Sequence, residues 1–489
     1  MISSRRMAAV DRNAAALGVP LRVLMESSGN VVARHVRELT DPGDAVALVA
    51  GRGNNGGDAF AAARFLDDRD LTIHLLGRPE SITTDIARAN WDALEAGEYD
   101  TRVVADSAAF ELPDPDLVVD AMLGTGITGA LREPEATVAR AINAADAPVL
   151  AVDVPSGVDA DTGESAGVAV EADHIITFHD DKPGLDAHED VSVADIGIPD
   201  AAETVVGPGD VAVLGEGGSP SEANGRVFVI GGGPYTGAPA LAAGAALSAG
   251  ADLAFLACPE SVFDPVAGYS ADLIVQPYAS DSPEAARRDT VETDHLTPAH
   301  VPDLLDTAHH HDDTVVLGPG LGRHAETRKA AKQFLDGFEG RAVVDADALP
   351  LVPEVETAAT LVLTPNRSEL VELGGPDVAD PGAAADEVAD LAVNLGHVVL
   401  AKGETDVISD GERTRRCRAG TAGMTVGGTG DTLAGIAAAL LDRDDPFEAA
   451  CAATYVNGRA AELLDRGRGL RATELQETIP TALQGGTDD

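Results

Sequence analysis

Two trains of short apolar runs, each alternating with segments of helical spacing, dominate the chain. The first follows a helical stretch at residues 8 to 39 and comprises VALVAG, LTIHLLG, LVVDAML, VLAVDVP and HIITF, with DAFAAARFL as the helical segment after its first run. The second comprises RVFVIGGG, DLAFLACP, DLIVQPY, TVVLGPGLG, AVVDADAL, TLVLTPN and VVLAKG, with APALAAGAALSAG after its first run. Apolar runs of strand length separated by helices predict parallel, doubly wound sheets covered on both faces, hence an α/β fold. Between the trains, residues 205 to 224 (VVGPGDVAVLGEGGSPSEAN) are rich in Gly, Pro and Ser and hold no period. This predicts two domains, 1–210 and 220–489. ISDGERTRRCRAG reads as a closing hairpin, and the trains share no motif that would mark a repeat.

Parallel sheets bind ligands beyond the carboxyl ends of their strands, so the residues after each run matter most. In the first train these are GRGNNGGDAF (51–60), GTGITG (124–129) and DVPSG (153–157). Asn55, Asp120 and Ser156 supply an amide oxygen, a carboxylate and a hydroxyl or carbonyl, hard ligands suited to an alkali or alkaline-earth cation. The glycines admit a pyrophosphate to backbone NH groups, although neither run has GxGxxG spacing and tight turns are the plain alternative. Asp153 is a catalytic acid or base, or a cap of the following turn.

In the second train the informative stretch is TVGGTGDTLAG (425–435). Gly427, Gly428, Gly430 and Gly435 leave backbone NH groups open, and a helix beginning near Asp431 adds its positive end, which suits an anion. A carboxylate in such a cradle repels phosphate unless it has a task, and the task that fits is removing the proton of a hydroxyl that attacks a phosphoryl group. The alternative is that Asp431 caps the helix.

Charge narrows the function classes. With 82 acidic and 34 basic residues the formal net charge is -48, spread along the chain, which argues against nucleic acid as a partner. Such self-repulsion is relieved where salt shortens the Debye length to about 3 Å near 1 M, which predicts a salt-rich cytoplasm. The melting temperature is expected to climb steeply between about 0.1 M and molar KCl; a flat profile would remove the halophilic reading. The start, MISSRRMAAVDRNAAALG, lacks the apolar core of a signal peptide, and no run reaches membrane-spanning length, so a cytoplasmic protein without membrane contact is expected. Cys258, Cys417 and Cys451 fit neither a zinc site nor a disulfide framework and read as core or surface thiols. HHHDD at 309–313 reads as solvated rather than metal-binding.

LMESSG, GRGNNGGDAF, DAMLGTGITG and VDVPSG together resemble the NAD(P)H-hydrate epimerase domain (YjeF N-terminal type), over nearly all of residues 1 to 205. The resemblance implies a Rossmann-like three-layer α/β/α domain in which Asn54, Asn55, Gly56, Gly57 and Asp58, with Gly124, Thr125, Gly126, Ile127, Thr128, Gly129 and Ala130, contact the hydrated dinucleotide. It further implies that Asp153 binds the reacting end, that Lys182 of FHDDKPGL is a second catalytic group, and that Asn55, Asp120 and Ser156 hold potassium. Ala59 stands where glycine is usual.

VIGGGPYTGAPALAA, GYSADLIV, LGPGLGR, VVDADAL, LTPNRSEL, KGETD and GGTGDTLAG resemble, in order, the ADP/ATP-dependent NAD(P)H-hydrate dehydratase, a branch of the ribokinase-like fold. This implies that Ala238, Gly320 and Asn366 contact the hydrate, that Lys402, Gly403, Glu404, Thr405, Asp406 and Gly430 contact ADP or ATP, supplied with Mg2+, and that Asp431 meets the hydrate hydroxyl. Asn224 and Gly233 depart from the usual lysine and serine. The implied function is repair of hydrated NADH and NADPH (NADHX and NADPHX): epimerisation of the R and S forms, and dehydration of the S form with release of AMP or ADP and phosphate. A homo-oligomer is expected. A small-molecule kinase using the GGTGD loop, or a first domain that only binds a dinucleotide or partner, are the competing readings.

Overall fold

The computed structural model describes residues 1–126, 129–214, 225–278 and 294–484; Ile127, Thr128 and Asn224 lie outside the described residues. The chain forms two compact units, Met1–Asp200 and Ala201–Asp489.

In the first unit, β1 (Ala45–Ala50), β2 (Asp70–Leu76), β3 (Thr101–Val104), β4 (Leu117–Ala121), β5 (Val149–Val152), β6 (His174–Phe178) and β7 (Val191–Ala194) form one sheet in the order β3-β2-β1-β4-β5-β6-β7. Every pairing is parallel. The order reverses between β1 and β4, and at such a switch the loops leaving the two strands diverge and open a crevice. Helices α1 (Ser4–Ala16), α2 (Leu21–Leu39), α3 (Asn54–Ala63), α4 (Asp85–Ala96) and α5 (Glu135–Asn143) complete the layers. The α5 side chains Val138, Ala139 and Ile142 bury themselves against Val49, Val118 and Val149 of the sheet. The loop after β1 crosses the chain leaving β4 so closely that a Cβ on Gly51 would lie 1.8 Å from the Met122 carbonyl oxygen, so only glycine fits.

The second unit is a nine-stranded sheet. Its strands are β8 (Arg226–Ile230), β9 (Leu253–Cys258), β10 (Ile274–Pro277), β11 (Thr314–Leu317), β12 (Arg341–Val344), β13 (Thr360–Leu363), β14 (Val398–Ala401), β15 (Asp406–Ser409) and β16 (Thr414–Cys417). They run in the order β10-β9-β8-β11-β12-β13-β14-β15-β16. Pairings are parallel as far as β14, and β15 and β16 add the antiparallel hairpin expected from ISDGERTRRCRAG. Strand residues alternate between two apolar cores. Val227, Val229, Val316, Val343 and Leu400 enter one, with the helices Gly237–Ser248, Thr429–Leu441 and Pro446–Leu464. Phe228, Ile230, Val315, Val344 and Val399 enter the other, with Val301–His310, Ala325–Gly337 and Ala385–Leu395. Burial on both faces is why these runs carry no polar alternation.

Residues 201 to 210, which the sequence assigns to the end of the first domain, pack in the second unit. Val206 donates its N–H to the Arg416 carbonyl at 2.8 Å, and Asp210 pairs with Arg415 at 3.1 Å, itself bound to Glu448 at 2.6 Å. A Gly/Pro-rich stretch looks like linker when its partners lie some 200 residues away. The three cysteines are buried free thiols. His309, His310 and His311 are exposed at the end of their helix, while Asp313 is buried in an ion pair with Arg226 at 2.9 Å. Among the described residues no helix is long and apolar enough to cross a membrane.

Candidate active sites

The loops after β1, β4 and β5 converge on a cleft of about 540 Å3 in the first unit, lined by Asn54, Asn55, Asp58, Gly124, Thr125, Gly126 and Asp153. Asn54 and Asn55 begin α3, whose cap is Gly53 with no side chain to occupy the helix end, so the first-turn amides are free to meet an anion. Gly56 and Gly57 are also required by packing: Cβ atoms there would lie 2.1 Å from the Gly51 carbonyl oxygen and 2.7 Å from the Met25 Cε. Gly129 and Ala130 are exposed beyond the cleft.

Asp153 sits directly after β5 with φ 67, a left-handed conformation that an aspartate adopts at some cost and that aims its carboxyl differently from a strand residue. Its Oδ1 accepts from the Thr177 hydroxyl at 3.1 Å and lies 3.4 Å from the Lys182 Nζ. Lys182 is 1% exposed. Its three protons are placed by the Thr177 hydroxyl, the Phe178 carbonyl and the Asp180 carbonyl, each at 2.9 Å. Lys182 therefore stands behind Asp153 as a fixed cation, and Thr177, which the sequence reading missed, links the two.

Asp120, fully buried, accepts from the Ser156 hydroxyl at 2.7 Å, the Ser156 N–H at 2.8 Å and the Met122 N–H at 3.1 Å. The Ser156 hydroxyl in turn accepts from the Leu123 N–H at 3.0 Å. Burial pushes the Asp120 carboxyl up to about 6 against these hydrogen bonds. The pair thus ties the β4 and β5 loops together. Asn55 differs: both its amide oxygen and nitrogen are buried without a partner.

In the second unit the helix Thr429–Leu441 opens the corresponding site. Gly428, at φ 102, is its cap, and Asp431 lies within its first turn. Asp431 is not the cap, so that alternative is set aside. Lys402, after β14, donates to the Asp345 Oδ1 at 2.9 Å, and its Nζ would lie 3.1 Å from a Cβ on Gly430. Asp345, buried after β12, also accepts from the Thr364 hydroxyl at 2.7 Å. Burial, the Asp345 charge and Glu369 push the Asp431 carboxyl up to about 7, with Lys402 opposing. Burial alone would lower the Lys402 ammonium, but Asp345, Glu369 and Asp431 hold it above its ordinary value.

The other expected residues have partners of their own in the fold. Gly320 and the loop before Ala238 meet, a Cβ on Gly320 lying 2.3 Å from the Tyr235 carbonyl oxygen. Asn366 caps the helix Arg367–Glu372, its Oδ1 accepting from Ser368 and Glu369 N–H groups. In the turn Lys402–Asp406, the Gly403 and Thr405 N–H groups are already bound by Asp406 at 2.8 Å and Asp380 at 3.0 Å, and Asp406 also binds Thr454. The turn therefore presents Lys402 and the exposed edge at Glu404 rather than a row of amides. Asp345 and Glu369 were missed, although VVDADAL sets a carboxylate directly after β12 and LTPNRSEL sets one in the first turn of the helix that follows β13.

Two doubly wound units, each with carboxylates and an ammonium at the carboxyl edge of its sheet, define a two-site α/β enzyme. A family profile described as YjeF-related protein N-terminus matches residues 21–184, and one described as NAD(P)H-hydrate dehydratase matches residues 227–481. The chain is 41% identical over 490 residues to the bifunctional NAD(P)H-hydrate repair enzyme Nnr of Archaeoglobus fulgidus, covering 99% of this chain and 98% of that one. It is 32% identical over 516 residues to the Nnr of Salinibacter ruber, covering 95% and 92%. A ribokinase-like superfamily protein of solved structure from Enterococcus faecalis aligns with 57% of this chain and 95% of its own at 21% identity, with a TM-score of 0.48. The chain belongs to the bifunctional NAD(P)H-hydrate repair enzyme family.

Proposed function

We propose that the first unit interconverts the two C6 epimers of hydrated NADH or NADPH, and that the second phosphorylates the C6 hydroxyl of one epimer with ADP or ATP and eliminates phosphate. The observation that carries the reading is Asp431: a carboxyl in the first turn of a helix, free of capping duty, backed by Lys402 and poised near neutrality. Asp431 takes the hydroxyl proton as the oxygen attacks the terminal phosphorus, and the bond to the departing AMP or ADP breaks. The first-turn amides stabilise charge on the transferring group, each such donor contributing about 2.7 to 4 kcal/mol. The ring nitrogen then expels phosphate from C6, and loss of a C5 proton restores the dihydronicotinamide.

Three carboxylates, Asp345, Glu369 and Asp431, act on one another around the single ammonium of Lys402. This excess of negative charge beside a polyphosphate suits a hard divalent cation, which Asp345 and Glu369 would hold; bound Mg2+ would neutralise the phosphates. In the first unit, the unpartnered Asn55 oxygen fits potassium, with Asp120 giving charge and Ser156 giving the second lone pair of a carbonyl that already accepts from the Val170 N–H at 2.9 Å. Bound potassium would supply positive charge beside the dinucleotide phosphates. Asn55→Ala is expected to abolish the extra thermal stabilisation given by KCl over NaCl at equal ionic strength and to slow epimerisation about tenfold, within the range for lost metal support. An unchanged KCl increment would count against the ion.

The whole reading is tested by incubating the protein with mixed hydrate epimers and ADP or ATP. Reduced-nicotinamide absorbance should return to completion, with phosphate released in equal amount. Accumulation of a stable phosphorylated product would favour a small-molecule kinase instead.

A further inference from the structure

The cleft of the first unit is faced by more carboxyl groups than Asp153. Asp11 lines it from α1 and Asp58 from α3. Helix α1 is fixed over the site: the Ile2 N–H donates to the Asp181 carbonyl at 2.7 Å, beside Lys182, and the Ser4 N–H donates to Asp161 at 2.8 Å. The groups that act on Asp11 are Asp153 from the end of β5, Lys182 from the loop after β6 and Asp58 from α3, and Arg52 lines the same cleft. Met7, Leu21, Leu24 and Met25 give the cleft apolar walls.

We propose that Asp11 is a second acid–base residue of the epimerase, sharing with Asp153 the two proton transfers that inversion at C6 requires. The inference rests on the epimerase reading of this cleft. Inversion through an iminium breaks the C6–O bond and remakes it on the other face. The leaving oxygen needs a proton, and the attacking water must lose one. With Asp11 protonated and Asp153 ionised, Asp11 gives its proton to the hydroxyl, which departs as water while the ring nitrogen lone pair forms the C6–N double bond. Water then adds to C6 and surrenders a proton to Asp153. Atoms and charge balance, and the next turnover in reverse starts from the state just produced. Two carboxyls sharing one proton suit a reaction that must run both ways. Burial and the Asp153 charge, opposed by Lys182, raise the Asp11 carboxyl to about 6, in keeping with this partition.

The test uses the full-length protein and the separated epimers, measuring epimer exchange without nucleotide and dehydration of the accepted epimer with ADP or ATP. Asp11→Asn should slow exchange about 100-fold, leave dehydration and melting temperature unchanged, and remove the limb of the exchange-rate profile near pH 6. Asp11→Glu should recover most of the rate. Exchange within about twofold of normal in Asp11→Asn, with its pH limb intact, overturns the assignment. So does an equal loss in Asn and Glu variants accompanied by a lower melting temperature, which would make Asp11 a packing residue of α1. Asp153→Asn is run in parallel: normal exchange there would make Asp153 a turn residue and overturn the shared-proton scheme, absence of exchange in the native protein would sink the epimerase reading itself, and loss in Asp153→Asn alone removes only Asp11.

Discussion

Asp431→Asn should bind ADP or ATP in a calorimeter, still exchange the two hydrate epimers, and regenerate reduced cofactor about 100-fold to 10,000-fold more slowly than the native protein. That range is the usual contribution of a positioned general base. The substitution keeps size and most hydrogen bonding and removes only the capacity to accept a proton. Lys402, Asp345 and the first-turn amides of the helix remain in place. A pH signature accompanies the loss. Because the Asp431 carboxyl is raised to about 7, it holds its proton below that pH and is inactive as a base. The native kcat/KM for dehydration should therefore rise as pH increases through about 7 and level off above it. In Asp431→Asn this limb should vanish from the residual rate. Near-normal regeneration would reduce the loop to a phosphate cradle, and a surviving limb would assign it to another group.

Asp153→Asn should lower epimer exchange by a factor of about 100 to 10,000 and leave dehydration of the accepted epimer intact. Its carboxyl is held by a backbone turn at φ 67, by Thr177 and by the buried Lys182, so the carboxamide can occupy the same place without transferring protons. The consequence is visible with a mixed hydrate. Absorbance should stop at the fraction that starts as the accepted epimer, where the native protein goes to completion. Recovery to completion at the native rate would mean that Asp153 only shapes the turn. The same end point separates the repair reading from a first unit that merely binds a dinucleotide, since a binding module would leave the native protein with the partial recovery too.

Alternation of apolar runs with helices determined both parallel sheets, because strands buried on two faces must be apolar throughout and must be joined by helical crossovers. The glycine-bearing stretches after the runs of the first unit line its cleft, since ligands gather where strands end and backbones must pass closely, as at Gly51. Asp431 was legible because a carboxylate in a glycine-rich helix start is costly without a use. The tertiary structure alone decided which charges meet. Lys402 and Asp345 stand 57 residues apart and become a bonded pair only because β14 and β12 belong to one sheet and end at the same edge. Thr177 looks like an ordinary strand residue until its hydroxyl is found between Asp153 and Lys182. Asp11 lies in an amphipathic helix where acidic residues are usually solvated, and only the docking of α1 over the cleft brings it beside Asp153. The stretch from 201 to 210 likewise has no local pattern, because what holds it is pairing with Arg415 and Arg416, and contacts so remote in sequence leave no period to read.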